Sequence, residues 1–116
     1  MQNNQLKQLI DTSSRIILKV GSSLLINQNN NDINYHWLKN FSKEIQSLTD
    51  KKKQIMIVSS GSVALGRKQL NLVKNLSLDE KQAAAAVGQI HLSHAWKEVL
   101  KSFNLESAQI LLAPDD

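Results

Sequence analysis

Two short stretches hold the residues best placed to do chemistry. In Arg15-Ile16-Ile17-Leu18-Lys19-Val20-Gly21-Ser22-Ser23 a lysine interrupts an apolar run just before a glycine and two hydroxyl residues. In Gln54-Ile55-Met56-Ile57-Val58 a second apolar run closes on Ser59-Ser60-Gly61-Ser62. An ammonium in a buried strand is costly unless an anion accompanies it, and a glycine followed by hydroxyl residues can turn backbone N–H groups toward an anion. Both turns follow strand-like runs, and in an open parallel sheet ligands sit outside the carboxyl ends of the strands. With Lys19 between or beneath them, the two turns could hold two anionic groups face to face. Phosphoryl transfer to a carboxylate needs that arrangement, because its catalysis is mostly positioning and neutralisation of charge. The acceptor carboxylate attacks directly, so no protein nucleophile is required. Neither turn is diagnostic by itself, being neither G-x-x-x-x-G-K-[ST] nor G-x-G-x-x-G. Lys19 could equally snorkel from an edge strand, and Ser-Gly turns often join a strand to a helix without binding anything. Residue types and spacing therefore reach an α/β domain with an anion site.

Other chemistry is less well supported. His91 and His94 are three apart on one predicted helix, but no third ligand accompanies them, and His36 reads as a surface residue. The 116 residues carry a formal charge of +4, yet the only dense basic run, Lys51-Lys52-Lys53, follows a helix with acidic residues close before it. It reads as a solvated turn rather than a nucleic-acid patch, and aromatics at 4% are too few for a base-stacking platform. No apolar stretch approaches the roughly 20 residues of a membrane span. The Asn- and Gln-rich start lacks the cationic and apolar parts of a secretory signal. Cysteine is absent, which removes disulfides and thiolate metal sites and suits a reducing, cytoplasmic setting.

The elements that must position the two turns follow in order. Residues 1–14 form a polar lead-in, loose or at most a short helical turn. After the first strand and Leu24-Leu25-Ile26, the tract from Asn27 to Asn34 holds five asparagines, a glutamine and an aspartate, and reads as a surface loop. Asn34 can cap a helix over about Tyr35 to Asp50, whose Leu38, Phe41, Ile45 and Leu48 share one face. Strand, helix and strand make a right-handed crossover, so the two strands should be parallel in one sheet. A helix over Val63 to Leu70 starts on the second turn. Ser77 and Glu80 supply a capping box for a long helix from Leu78 to about Phe103. Its first half, Gln82 to Gln89, is nearly all small residues. Gly88 in mid-helix costs about 1 kcal/mol relative to alanine, which a close backbone approach would explain. Ala108-Gln109-Ile110-Leu111-Leu112 reads as a third strand, stopped by Pro114.

Three segments together resemble the amino acid kinase family. Ile17 to Ser23 resembles its opening strand, and Ile57-Val58-Ser59-Ser60-Gly61-Ser62-Val63-Ala64-Leu65-Gly66 its second glycine loop. Lys81-Gln82-Ala83-Ala84-Ala85-Ala86-Val87-Gly88-Gln89 is similar to a helix of the branch that acts on glutamate. The resemblance runs from Arg15 to Leu112 and implies a mostly parallel sheet flanked by helices, the N-terminal part of an amino acid kinase fold, with residues 15–116 as a partial domain. It implies ATP-dependent phosphorylation of the L-glutamate γ-carboxylate, with Mg2+ accompanying ATP. Lys19 would then be catalytic and bind ATP phosphates. Gly21, Ser22 and Ser23 would cradle those phosphates, and Ser60 with Gly61 would bind glutamate. L-Glutamate and ATP are the expected partners, and a homo-oligomer is left open. The family's domain is roughly twice this length, within the usual size range of domains, and many members acting on glutamate add a PUA domain. The later substrate-binding Asp and Asn, the second lysine, the aspartate that organises the lysines and the adenine pocket have no counterpart here. Asp115 and Asp116 come too early to stand in for them. The isolated chain is accordingly expected to be inactive. The alternatives are a non-catalytic fragment retaining an anion site, or a kinase for acetylglutamate or aspartate, against which the Lys81–Gln89 helix argues.

Overall fold

The computed structural model describes residues 2–73 and 75–112. In chain order it contains α1 (Gln2–Thr12), β1 (Arg15–Val20), α2 (Ser22–Leu25), α3 (Tyr35–Asp50), β2 (Gln54–Ser59), α4 (Ser62–Gln69) and α5 (Leu78–Ser102). β1 and β2 are parallel and in register from Arg15 opposite Gln54 to Val20 opposite Ser59, with α3 as the crossover. This is the α/β arrangement expected from two short β-branched runs separated by an amphipathic helix.

Period-two alternation divides the sheet into two unlike faces. Leu18, Val20, Ile55 and Ile57 point toward a core built from Leu25, Ile26, Ile33, Leu38, Ile45, Leu65, Leu92, Trp96, Val99 and Leu100. Ile17, Met56 and Val58 point the other way and remain 69%, 51% and 48% exposed. No described element covers that second face. The Asn-rich tract is tied at its base by an antiparallel bridge between Ile26 and Ile33, both buried.

Helix boundaries follow the local chemistry. The Asn34 side chain accepts from the Trp37 amide at the start of α3. At α5 the capping box is complete, with the Ser77 hydroxyl accepting from the Glu80 amide and the Glu80 carboxylate accepting from the Ser77 amide. Those bonds hold the Glu80 carboxyl below its ordinary pKa. At their C-termini, α3, α4 and α5 are each followed by a left-handed residue, Lys52, Asn71 and Asn104. Each end is closed by paired amide-to-carbonyl bonds, such as Leu105 to Leu100 and Asn104 to Lys101.

Glycine explains how α4 meets α5. A Cβ on Gly88 would fall onto the Ser62 carbonyl, and one on Gly66 onto the Ala84 carbonyl. Each glycine removes the side chain that would hold the two backbones apart, which is the reason for the mid-helix glycine; of the four alanines before it, only Ala84 is buried.

Three expectations are corrected. The polar lead-in is an 11-residue helix. Its end is held by the Lys53 ammonium, which donates to the carbonyls of Asp11 at 2.8 Å and Ser13 at 2.6 Å, so that Lys53 is not simply solvated. Residues 108–112 are not a strand. Ile110, Leu111 and Leu112 are 71%, 74% and 81% exposed, and the Ser93 hydroxyl donates to the Gln109 side-chain oxygen, tying the segment to α5. An apolar run becomes a strand only when a sheet edge receives it, and here it pairs with neither β1 nor β2. Pro114 lies outside the described residues.

Candidate functional site

The carboxyl ends of β1 and β2 bring the two predicted turns together. The Ser60 amide donates to the Val20 carbonyl at 3.2 Å, linking the last residue of one strand to the first residue past the other. Gly61 faces the first turn directly, since a Cβ there would lie 2.9 Å from Ile26 Cγ1 and 3.8 Å from Ser22 Cβ. Gly21 is the N-cap of α2 and Gly61 the N-cap of α4, and neither helix start has a side-chain cap. The first amides of a helix have no acceptor within it, so each turn presents N–H groups at the same edge of the sheet. Ser22, Ser23 and Ser60 are exposed there.

Lys19 sits on the outer face of β1, opposite Val58 and one residue before the strand ends. It is exposed. The cost of burying an ammonium therefore gives it no need of an anionic partner in this chain, and its claim to a role rests on its place beside the two turns. All six predicted site residues thus lie at one edge: Lys19, Gly21, Ser22 and Ser23 on the β1 side, Ser60 and Gly61 on the β2 side.

One contact that the sequence signalled, and one that it did not, hold the second turn from behind. The Trp96 indole N–H donates to the Ser59 hydroxyl at 3.0 Å, and Gly88 packs onto the Ser62 backbone. The glycine was visible in the sequence as a mid-helix anomaly. The indole–hydroxyl bond joins residues 37 apart and left no local signal.

Two surface hollows lie elsewhere. One runs between α5 and the 108–112 segment and is lined in part by Ile90, His94 and Leu111. The other is formed by Asn31, Asp32, Leu65, Lys68, Gln69 and His91. His91 and His94 therefore line different hollows, and among the described residues no three potential metal ligands cluster. In the second hollow Lys68 donates to Asp32 at 2.9 Å. This bond is the main reason the Asp32 carboxyl titrates below its ordinary range.

Residues 14–116 match the amino acid kinase family. The chain belongs to that family. A glutamate 5-kinase of Paramagnetospirillum magneticum is 43% identical over 104 residues, covering 90% of this chain and 28% of the relative. A glutamate 5-kinase of Rhodopseudomonas palustris is 47% identical over 103 residues, covering 88% and 27%. One of a Ruegeria species is 39% identical over 108 residues, covering 92% and 29%. The chain thus spans under a third of the length of these curated relatives. Its parallel strand pair flanked by helices is consistent with the N-terminal part of an amino acid kinase fold. Among the described residues no helix is long and apolar enough to cross a membrane.

Proposed function

We propose that this chain is the phosphate- and glutamate-facing part of a glutamate 5-kinase. Such an enzyme transfers the γ-phosphoryl group of ATP to the γ-carboxylate of L-glutamate, the first step of proline biosynthesis, in the cytoplasm. The reading is carried by the contact between the two turns at the carboxyl ends of β1 and β2, on a chain whose relatives bear that name. A γ-carboxylate oxygen attacks the γ-phosphorus as the bond to the ADP oxygen breaks, and ADP leaves with that electron pair. The carboxylate is already ionised at neutral pH, so no base has to remove a proton. Lys19 offsets charge on the transferred group. Amides of Gly21, Ser22 and Ser23 hold the ATP phosphates, and Ser60 with Gly61 holds glutamate. The two turns offer hydroxyls and N–H groups but no carboxylate. That donor set suits phosphate oxygens and leaves Mg2+ to ride on ATP, where it neutralises phosphate charge.

In the isolated chain the sheet face bearing Lys19 is open to water, where electrostatic stabilisation of the transferred group is weak. The 116 residues by themselves are therefore expected to show no turnover. A chimera in which this chain replaces the matching 104 residues of the P. magneticum relative supplies the remainder. Coupled ADP release with L-glutamate and Mg-ATP should be present in the chimera. It should fall about 100- to 1,000-fold in its Lys19→Ala variant, the scale for removing one preorganised charge-stabilising donor. An active chimera indifferent to Lys19→Ala would show the lysine assignment to be wrong. Preference for N-acetyl-L-glutamate or L-aspartate over L-glutamate would redirect the substrate.

A further inference from the structure

We infer that α5 positions the glutamate-facing turn by gripping it at both ends, with Trp96 and Gly88 as its positioning residues. Ser60 and Gly61 are flanked by Ser59, the last residue of β2, and Ser62, the first of α4. Both flanking residues are held by the same helix. The Trp96 indole N–H donates to the Ser59 hydroxyl at 3.0 Å. Two helical turns earlier, Gly88 lets the α5 backbone rest on the Ser62 carbonyl. The second contact is braced by the reciprocal approach of Gly66 to Ala84, so α4 cannot slide along α5 without a backbone collision.

Trp96 is itself fixed. It is 9% exposed, and its ring meets Phe41 edge-on with centroids 5.9 Å apart, while Phe41 stacks on Trp37 at 4.8 Å. An indole clamped in this way is a rigid donor, and the hydroxyl it binds lies one residue from the proposed glutamate contact. Among the described residues no hydrogen bond joins the first turn to α5. The functional part of the inference rests on the kinase reading, whereas the positioning part concerns the fold alone.

Gly88→Ala removes the lower grip but can also prevent folding. Trp96→Phe keeps a ring in the core and deletes the donor together with part of the indole, whereas Ser59→Ala deletes only the acceptor. In proton–nitrogen correlation spectra of the 116-residue chain, Trp96→Phe, remote in sequence from the turn, should shift the Ser60 and Gly61 amides. Trp37→Phe, on the far side of Phe41, should leave them in place. In the chimera, Trp96→Phe should raise the KM for L-glutamate about two- to tenfold, the scale of one net hydrogen bond, with the KM for ATP unchanged. Adding Ser59→Ala should produce no further rise, as expected when two residues act through one bond. Unmoved Ser60 and Gly61 amides, or equal rises in both KM values, would overturn the inference. A parent chimera without glutamate-dependent ADP release would instead overturn the kinase reading, and the amide shifts would still decide whether α5 positions the turn.

Discussion

Gly21 and Gly61 follow neighbouring parallel strands, and each caps a helix, but their surroundings differ. Gly21 has φ −76° and ψ 158°, a conformation open to any residue, and a Cβ there would have only Ser23 Oγ nearby, at 4.0 Å. Gly61 has φ 119° and ψ 1°, and a Cβ there would press on Ile26. The second turn is also flanked by the α5 contacts through Ser59 and Ser62. At position 61 the fold itself demands glycine. At position 21 the described residues make no such demand, and one could come only from elsewhere. A ligand whose phosphates approach the backbone is one such demand.

The largest effect should come from placing a side chain at the constrained turn. Gly61→Ala forces an L-residue into the left-handed region and meets Ile26 at 2.9 Å, for a loss of about 1–3 kcal/mol. Thermal unfolding should show it as a drop on the order of 4–8 °C per kcal/mol. Combining it with Ile26→Ala in a double-mutant cycle separates the causes, because alanine lacks both the Cγ1 and the Cδ1 that the new methyl would meet, while the backbone strain stays. A Gly61→Ala protein as stable as the parent would erase the distinction between the turns.

A weaker tie joins the loop beyond the first turn to α4, the helix of the second. Lys68 donates to Asp32 at 2.9 Å, with the two side chains 45% and 48% exposed. Its hydrogen bond, more than burial opposes, holds the Asp32 carboxyl below its ordinary value. A depressed carboxyl pKa stabilises the fold above the unfolded-state pKa, and that contribution disappears as pH falls through the lower folded-state value. Exposure and screening limit the pair to about 0–1 kcal/mol. Asp32→Asn should therefore cost at most that amount at pH 7, with the difference from the parent vanishing on the acid side of the carboxylate range and shrinking in high salt. Urea titrations at neutral and acid pH would check both. An undiminished difference at low pH would assign the effect to something other than the ion pair.

How far the sequence discloses this comparison depends on the range of each interaction. The strand–helix–strand unit, the Asn34 and Ser77 caps and the anomaly of Gly88 arise from neighbouring residues, and all were legible. So was the gathering of Lys19, Gly21–Ser23 and Ser60–Gly61 at one edge, because a parallel crossover puts both strand ends on the same side. The bond from Trp96 to Ser59 was not legible, since nothing near either residue announces the other. The exposure of Lys19 was hidden for a related reason: an apolar run does not disclose whether both faces of its sheet are covered. Residues 108–112 misled in the same way, having strand composition but no edge to join. At the N-terminus, Leu6, Leu9 and Ile10 have helical spacing within a polar segment. What secures that helix is Lys53, about 40 residues away.

The smallest expected stability effect is the sharpest test of what Gly21 is for. Gly21→Ala introduces a Cβ into open space at an ordinary φ and ψ. Alanine also has fewer unfolded conformations to lose, so the substitution should be neutral or stabilise by about 0.4–1 kcal/mol. If the glycine serves only the fold, activity of the chimera should follow stability and remain unchanged. If phosphates approach this backbone, the new methyl occupies their space. The KM for ATP should then rise by about tenfold, equivalent to ~1.4 kcal/mol of binding, while the KM for L-glutamate stays put and the melting temperature does not fall. A protein that is no less stable yet weaker toward nucleotide can lose that affinity only through the ligand, because no contact within the chain has been taken away. Unchanged KM for ATP would mean that the nucleotide does not pass close to Gly21, and the cradle would have to be sought in the amides of Ser22 and Ser23 alone.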